Sequence, residues 1–169
     1  GFAASQINLL ITTILATGAA VGAVSWLSYA FRLFQFPVGI LSVSVANTNL
    51  TLFSEAWKSH QPEKACSFLK SSYQLNLITL LPAMALLWAL ATPLVHIIFE
   101  HGQFTAYHSE MTAKALKLYA LGLPFYGLYK ILVPTFYSLD LQKIPVLCSI
   151  GSIAMNTIFC LFFTPIYGF

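Results

Sequence analysis

With 169 residues, 58% of them hydrophobic, 8% charged and a mean hydropathy of +0.78, the chain is not a soluble globular domain, where about a quarter of residues carry charge. The net charge of +3 is small and no two lysines or arginines are adjacent, so nothing resembles a nucleic-acid patch. Cys66, Cys148 and Cys160 are odd in number and lie in or beside apolar stretches, so they read as small hydrophobes rather than a disulfide framework or a metal set.

This composition predicts an all-α, polytopic transmembrane bundle: a single membrane region over residues 1–169 with helices at about 3–17, 24–53, 73–99, 109–138 and 145–163. The chain opens GFAAS, with no initiator Met and no basic leader, and ends in an apolar run. It therefore reads as a fragment of a longer membrane protein, with no visible signal peptide.

The first helix, residues 3–17, places Ser5, Asn8 and Thr12 on one face, which suggests a polar side. The second, residues 24–53, holds a single charge, Arg32, in about thirty residues. Arg32 lies eight residues inside, about 12 Å along the axis. A cation at that depth costs from about 2.5 to over 10 kcal/mol unless it meets water, a counter-charge or an anionic ligand. Ser25, Tyr29, Arg32, Gln35, Gly39, Ser42, Ala46 and Asn49 recur at steps of three and four, which predicts one polar stripe facing a cavity. Two readings stand: Arg32 as a cavity-facing functional cation, or Arg32 snorkelling to the near interface beside small packing residues. Pro37, inside this helix, predicts a kink.

Residues 55–72 are the most charged stretch, with Lys58, Lys64 and Lys70 against Glu55 and Glu63, and read as an amphipathic surface connector. The third helix carries Pro82 and Pro93, and residues 100–107 form a polar loop. The fourth starts amphipathically with Glu110, Lys114 and Lys117 and is broken by Gly122, Pro124 and Gly127. Residues 140–143 form a turn before the fifth helix. The lysines place the 55–72 connector in the cytoplasm, with the 18–23 turn and the 100–107 loop outside.

Lys130 is a second intramembrane charge, sharing a face with Tyr119, Leu123 and Tyr126; snorkelling is the competing account. His96, Glu100 and His101 miss the spacing of a helical zinc pair, so they read as interfacial helix-end residues, and no metal or other cofactor is expected. No nucleophile–base pair suggests an enzyme. The sequon Asn49-Leu50-Thr51 falls within a membrane helix and reads as chance.

Four blocks in order resemble one family. The run VSWLSYAFRLFQFPVGI (24–40) is similar to the SWxxYAxRLxxxPxG helix of the MurJ (MviN) lipid II flippases. FEHGQFTA (99–106) looks like that family's FxxGxFTA loop, and YALGL (119–123) with KILVPTFY (130–137) resembles its YxxGL and KVLxPxFY blocks, followed by KIP (143–145) for KTP. The resemblance implies roughly helices seven to eleven of a fourteen-helix exporter of the multidrug/oligosaccharidyl-lipid/polysaccharide superfamily. It implies a multi-pass protein of the bacterial inner membrane that moves lipid II, a lipid-linked diphosphate, by alternating access, with membrane lipid and a missing N-terminal lobe as its other partners.

Arg32 falls on a cavity arginine of the family, and a guanidinium fork suits diphosphate oxygens. The candidate substrate-binding set is Arg32, Tyr29, Gln35, Asn8 and Lys130. Two departures are visible: Phe31 stands where many members have Asp, and Thr12 aligns with an Asp of the preceding helix. Other superfamily exporters remain open, although a drug antiporter wants an intramembrane carboxylate that these helices lack. A membrane-embedded transferase, which would want clustered His, Asp and Glu, and a purely structural subunit are further alternatives.

Overall fold

The computed structural model describes Thr13, residues 22–100 and residues 104–167, with side chains up to residue 158. Every described element is helical: α1 (Ala23–Pro37), a π-helical turn (Val38–Ser42), α2 (Val43–Lys58), α3 (Pro62–Phe99), α4 (Ala106–Leu121), α5 (Leu123–Ser138) and α6 (Lys143–Tyr167). The expected helix at 3–17 lies outside the described residues. The stretches expected at 24–53, 73–99, 109–138 and 145–163 are helical, the first with a π turn inside it and the third in two helices split at Gly122; the first and last extend at both ends, the other two only at their N-terminal ends.

Pro37 produces a local change of helix type. It has no N–H to offer a carbonyl four residues back, and its ring crowds that carbonyl. The chain takes up one extra residue in Val38–Ser42, where the Val43 N–H reaches back five residues to the Val38 carbonyl. Ala23–Lys58 nonetheless remains long and apolar enough to cross a membrane. Ser44, Thr48 and Thr51 return their hydroxyls to the carbonyls of Ile40, Ser44 and Asn47, so these three exposed hydroxyls are satisfied within the helix.

The 55–72 connector is not a separate surface helix. It is the end of α2 and the start of α3, joined by a tight turn in which His60 takes φ 55° and the Gln61 N–H closes onto the Ala56 carbonyl. Pro62 opens α3 from the first turn, where its missing N–H has no intrahelical partner to lose. With 38 residues, α3 is about 57 Å long, well beyond a hydrocarbon thickness of about 30 Å. Pro82 and Pro93 sit inside it without ending it. The break in the fourth span falls at Gly122, where α4 and α5 meet at 50°; Pro124 lies in the first turn of α5 and Gly127 within it.

Residues 26–139 form one compact unit. Its core joins Ala30, Phe34 and Val38 to Leu80, Leu87, Ala91 and Val95 of α3 and to Ala113, Leu116, Ala120 and Leu123 of α4 and α5. A second cluster, Phe53, Ala56 and Ala65, closes the α2–α3 turn. The other unit, residues 1–25 with 140–169, is described here by α6, whose Ser149 and Thr157 hydroxyls bond the Pro145 and Ile153 carbonyls.

Candidate functional site

Arg32 is exposed on α1, and its guanidinium carbon lies 5.9 Å from the centre of the Tyr29 ring one turn before it. Tyr29 is itself braced. Its ring packs 4.7 Å from Phe99 and meets Phe104 edge-on at 5.6 Å, so α3 and the loop before α4 set where the arginine begins. Trp26, a turn earlier, closes onto Tyr107 and His108 at 5.7 and 5.8 Å. Gln35 and Gly39 continue the exposed line beyond Arg32, and a side chain at Gly39 would meet nothing within 4 Å.

Phe31, standing where the resemblance expects Asp, is half-buried against Phe34 and Tyr119, with ring centres 5.9 Å apart in both pairs. Phe31 thus belongs to the packed side of α1, not to the exposed line of Arg32. The described ion pairs are His96 with Glu100 and Lys114 with Glu110, the latter at 2.9 Å. No described carboxylate neutralises Arg32 or Lys130. Lys130 belongs to a different helix and rests 5.5 Å over Tyr126, whose ring meets Phe34 edge-on at 5.4 Å. The structure therefore sets Arg32 against Tyr29, with Gln35 exposed one turn further along α1; Lys130 rests on Tyr126 of a different helix, and Asn8 lies outside the described residues.

The polar stripe does not run as one face. Arg32, Gln35 and Gly39 are exposed, whereas Ser42, Ala46 and Asn49 are buried. The buried line is Ala30, Phe34, Val38, Ser42, Ala46, Asn49, Phe53 and Ala56. Sixteen residues from Ala30 to Ala46 would carry an ideal α-helix about 160° off one face, and the extra residue of the π turn cancels about 100° of that. Ser42 donates to Asn76 Oδ1 at 3.0 Å, and Asn49 donates to Thr135 Oγ1 at 3.1 Å. Asn49, fully buried and bonded in the bundle, offers no sugar-acceptor site, in line with a chance sequon.

Three features escape a sequence reading. Gly127 touches the same node: a Cβ there would lie 2.2 Å from Leu80 Cδ1, 2.6 Å from Ser42 Oγ and 2.7 Å from Asn76 Nδ2. Lys117 places its ammonium 5.6 Å over the Trp88 ring, and an apolar cavity of about 260 Å³ opens between α3 and the α4–α5 break. The visible signals were weak: one Asn and one Gly within apolar runs. For metal chemistry, His96 pairs with Glu100, His101 lies outside the described residues, and no group of three metal-ligating side chains occurs among the described ones.

The model of the family described as "Lipid II flippase MurJ" matches residues 1–169. A protein of Buchnera aphidicola subsp. Acyrthosiphon pisum, named probable lipid II flippase MurJ, is 36% identical over 92% of this chain and 30% of its own length. Lipid II flippase MurJ of Burkholderia cenocepacia is 33% identical over 97% of this chain and 32% of its own length. A solved structure of lipid II flippase MurJ in an inward closed conformation superposes with a TM-score of 0.87 at 30% identity, covering 98% of this chain and 35% of that one. The chain thus spans about a third of the length of these relatives.

Proposed function

Because the chain belongs to the lipid II flippase MurJ family, we propose that it is part of a transporter that moves lipid II across the bacterial inner membrane. It is an all-helical bacterial membrane protein by family and by its apolar helices. No covalent chemistry is assigned. The protein's task is to offer a polar head a path through hydrocarbon and to switch the side from which that path opens.

The observation that carries the reading is Arg32: a permanently charged fork inside a spanning helix, exposed, aromatic-braced and without a described carboxylate partner. A diphosphate supplies the countercharge and accepts the paired N–H donors. Tyr29 positions the guanidinium, and Gln35 offers an amide to polar atoms of the same head. Lys130 and Asn8 complete the proposed set. The Pro37 π turn, the Gly122–Pro124 break and Pro134 supply points at which the helices bend as the two lobes rock, the second lobe coming from the rest of the protein.

The test uses the full-length gene in a bacterium depleted of its own flippase. The unaltered gene restores growth. Arg32→Ala, present in the membrane at equal amount, does not, and Arg32→Lys restores it partially, because a point charge replaces a bidentate fork. A charged hydrogen bond is worth about 1.5–3 kcal/mol, so Arg32→Ala weakens diphosphate-lipid binding on the order of 10- to 100-fold. Full growth with Arg32→Ala removes Arg32 from the mechanism. No growth with the unaltered gene, at normal membrane levels, overturns the function itself.

A further inference from the structure

Arg32 is held by rings rather than by charge. No described carboxylate pairs with it, and its guanidinium carbon lies 5.9 Å from the centre of the Tyr29 ring. What fixes Tyr29 therefore fixes where the cation starts. Two rings from outside α1 do so: Phe99, at the end of α3, lies 4.7 Å away, and Phe104, just before α4, meets Tyr29 edge-on at 5.6 Å. Of the two, Phe104 is the hub. It also packs 6.2 Å from Phe99 and meets His108 edge-on at 5.5 Å. His108 in turn lies 5.8 Å from Trp26 and 6.1 Å from Tyr107. Among the described rings, Phe104 alone touches both the Tyr29–Phe99 pair and the set built on His108. The backbone on either side of it is tied down, the Glu100 N–H by the His96 carbonyl and the Ser109 N–H by the Thr105 carbonyl.

An arginine side chain has several rotatable bonds, and ordering them when a ligand arrives costs affinity. An aromatic face beside the guanidinium removes part of that cost, provided the ring itself stays in place. Packed between Phe99 and Phe104, Tyr29 has to displace one of them to change rotamer. We propose, on the assignment of a diphosphate to Arg32, that Phe104 is a positioning residue for that site. Acting through Tyr29, it holds the guanidinium where it receives the lipid diphosphate, so the segment entering α4 sets the affinity of a site carried on α1.

Full-length protein in detergent is titrated with undecaprenyl diphosphate, and the bound lipid is read by native mass spectrometry. Phe104→Ala weakens binding about two- to five-fold, the worth of one exposed cation–ring contact. Phe104→Leu, which keeps apolar volume but not the ring, also weakens it, while thermal unfolding stays near that of the unaltered protein. Phe104→Tyr binds as the unaltered protein does. Tyr107→Ala, which strips a ring from the His108 set without touching Tyr29, leaves binding unchanged. In an Arg32→Ala background neither Phe104→Ala nor Phe104→Leu has a further effect, because no guanidinium is left to position. A residue with a merely structural role would add its loss in either background. Unaltered binding by Phe104→Leu, an equal loss with and without Arg32, or the same loss from Tyr107→Ala overturns the positioning role and leaves the Arg32 reading standing. Unaltered binding by Arg32→Ala overturns that reading, and the positioning role with it.

Discussion

Gly127 is the position where a single added methyl group does most damage. Three elements meet over its missing side chain: the π turn through Ser42, α3 through Asn76 and Leu80, and α5 through the glycine itself. Leu80 Cδ1, at 2.2 Å from a would-be Cβ, is the end of a movable side chain, but it is fully buried and has little room to leave. Overpacking of this kind costs about 1–3 kcal/mol. Ser42→Ala removes a different quantity. It deletes the 3.0 Å bond to Asn76, whose Nδ2 is already without a described partner. Interhelical hydrogen bonds in membrane proteins average about 0.6 kcal/mol and reach about 1.7. Packing therefore outweighs the hydrogen bond at this node. The expected order in thermal unfolding of the full-length protein in detergent is Gly127→Ala well below Ser42→Ala, with Ser42→Ala only slightly below wild type. A larger loss for Ser42→Ala would mean that the polar pair, not close approach, holds the crossing.

At the scale of the element, the π turn is a one-residue insertion whose register can be tested by deletion. Phe34 and Ser42, both buried, are eight residues apart. In an unbroken α-helix that spacing turns through about 80° beyond a whole number of turns, whereas seven residues fall about 20° short of one. Deleting Gly39, which is exposed and touches nothing, straightens the turn into α-helix while keeping Phe34 and Ser42 on the core face. Deleting Ser44 instead, beyond the turn, swings Asn49 and Phe53 by about 100° away from Thr135 and Ala65. The first deletion is expected to accumulate in the membrane near the wild-type level, and the second to be degraded. Equal loss in both would show that the π geometry itself, beyond its register, is required for folding.

The same element explains what could be read in advance. Hydropathy and length located the spans, because the demand for about 20 apolar residues is local to each helix. Pro37 and Gly122 were visible as interruptions for the same reason. What an interruption becomes is not local: the Pro37 kink became a change of helix type that moved Ser42 and Asn49 from a supposed cavity into the core. A wheel drawn at 3.6 residues per turn cannot contain that shift. Asn76 and Thr135, the partners of those two residues, are 34 and 86 positions away, and no periodicity links them. Arg32 stood out because a charge in an apolar run is conspicuous anywhere; Lys117 did not, because it sits where an amphipathic helix start conceals it.

On the whole molecule, exposed surface divides into two kinds. α3 presents Ile78 and Ile97, about 70% exposed, along with Leu86 and Trp88, a face for lipid or for other apolar helices. The hydroxyls on α2 point outward yet satisfy themselves on their own helix, so their exposure does not require water. Arg32 and Gln35 differ: no described hydrogen bond within α1 takes up the guanidinium or the amide, and in lipid each unmet polar group costs several kcal/mol. On the proposed function their stripe borders water or a polar ligand. Cysteine labelling separates the two surfaces. In full-length protein with Cys66, Cys148 and Cys160 replaced by Ala, Gln35→Cys and Gly39→Cys are expected to react with a membrane-impermeant thiol reagent. Ile78→Cys and Ile97→Cys are expected to react on the order of 10³-fold more slowly, since the thiolate is the reactive form and an apolar surrounding raises a thiol's pKa by about three units or more. On the proposed function, a diphosphate lipid bound at Arg32 slows the first pair and leaves the second unchanged. Fast labelling at Ile78, or none at Gln35, would place water on the opposite side of the bundle and remove the physical basis for a polar head passing beside Arg32.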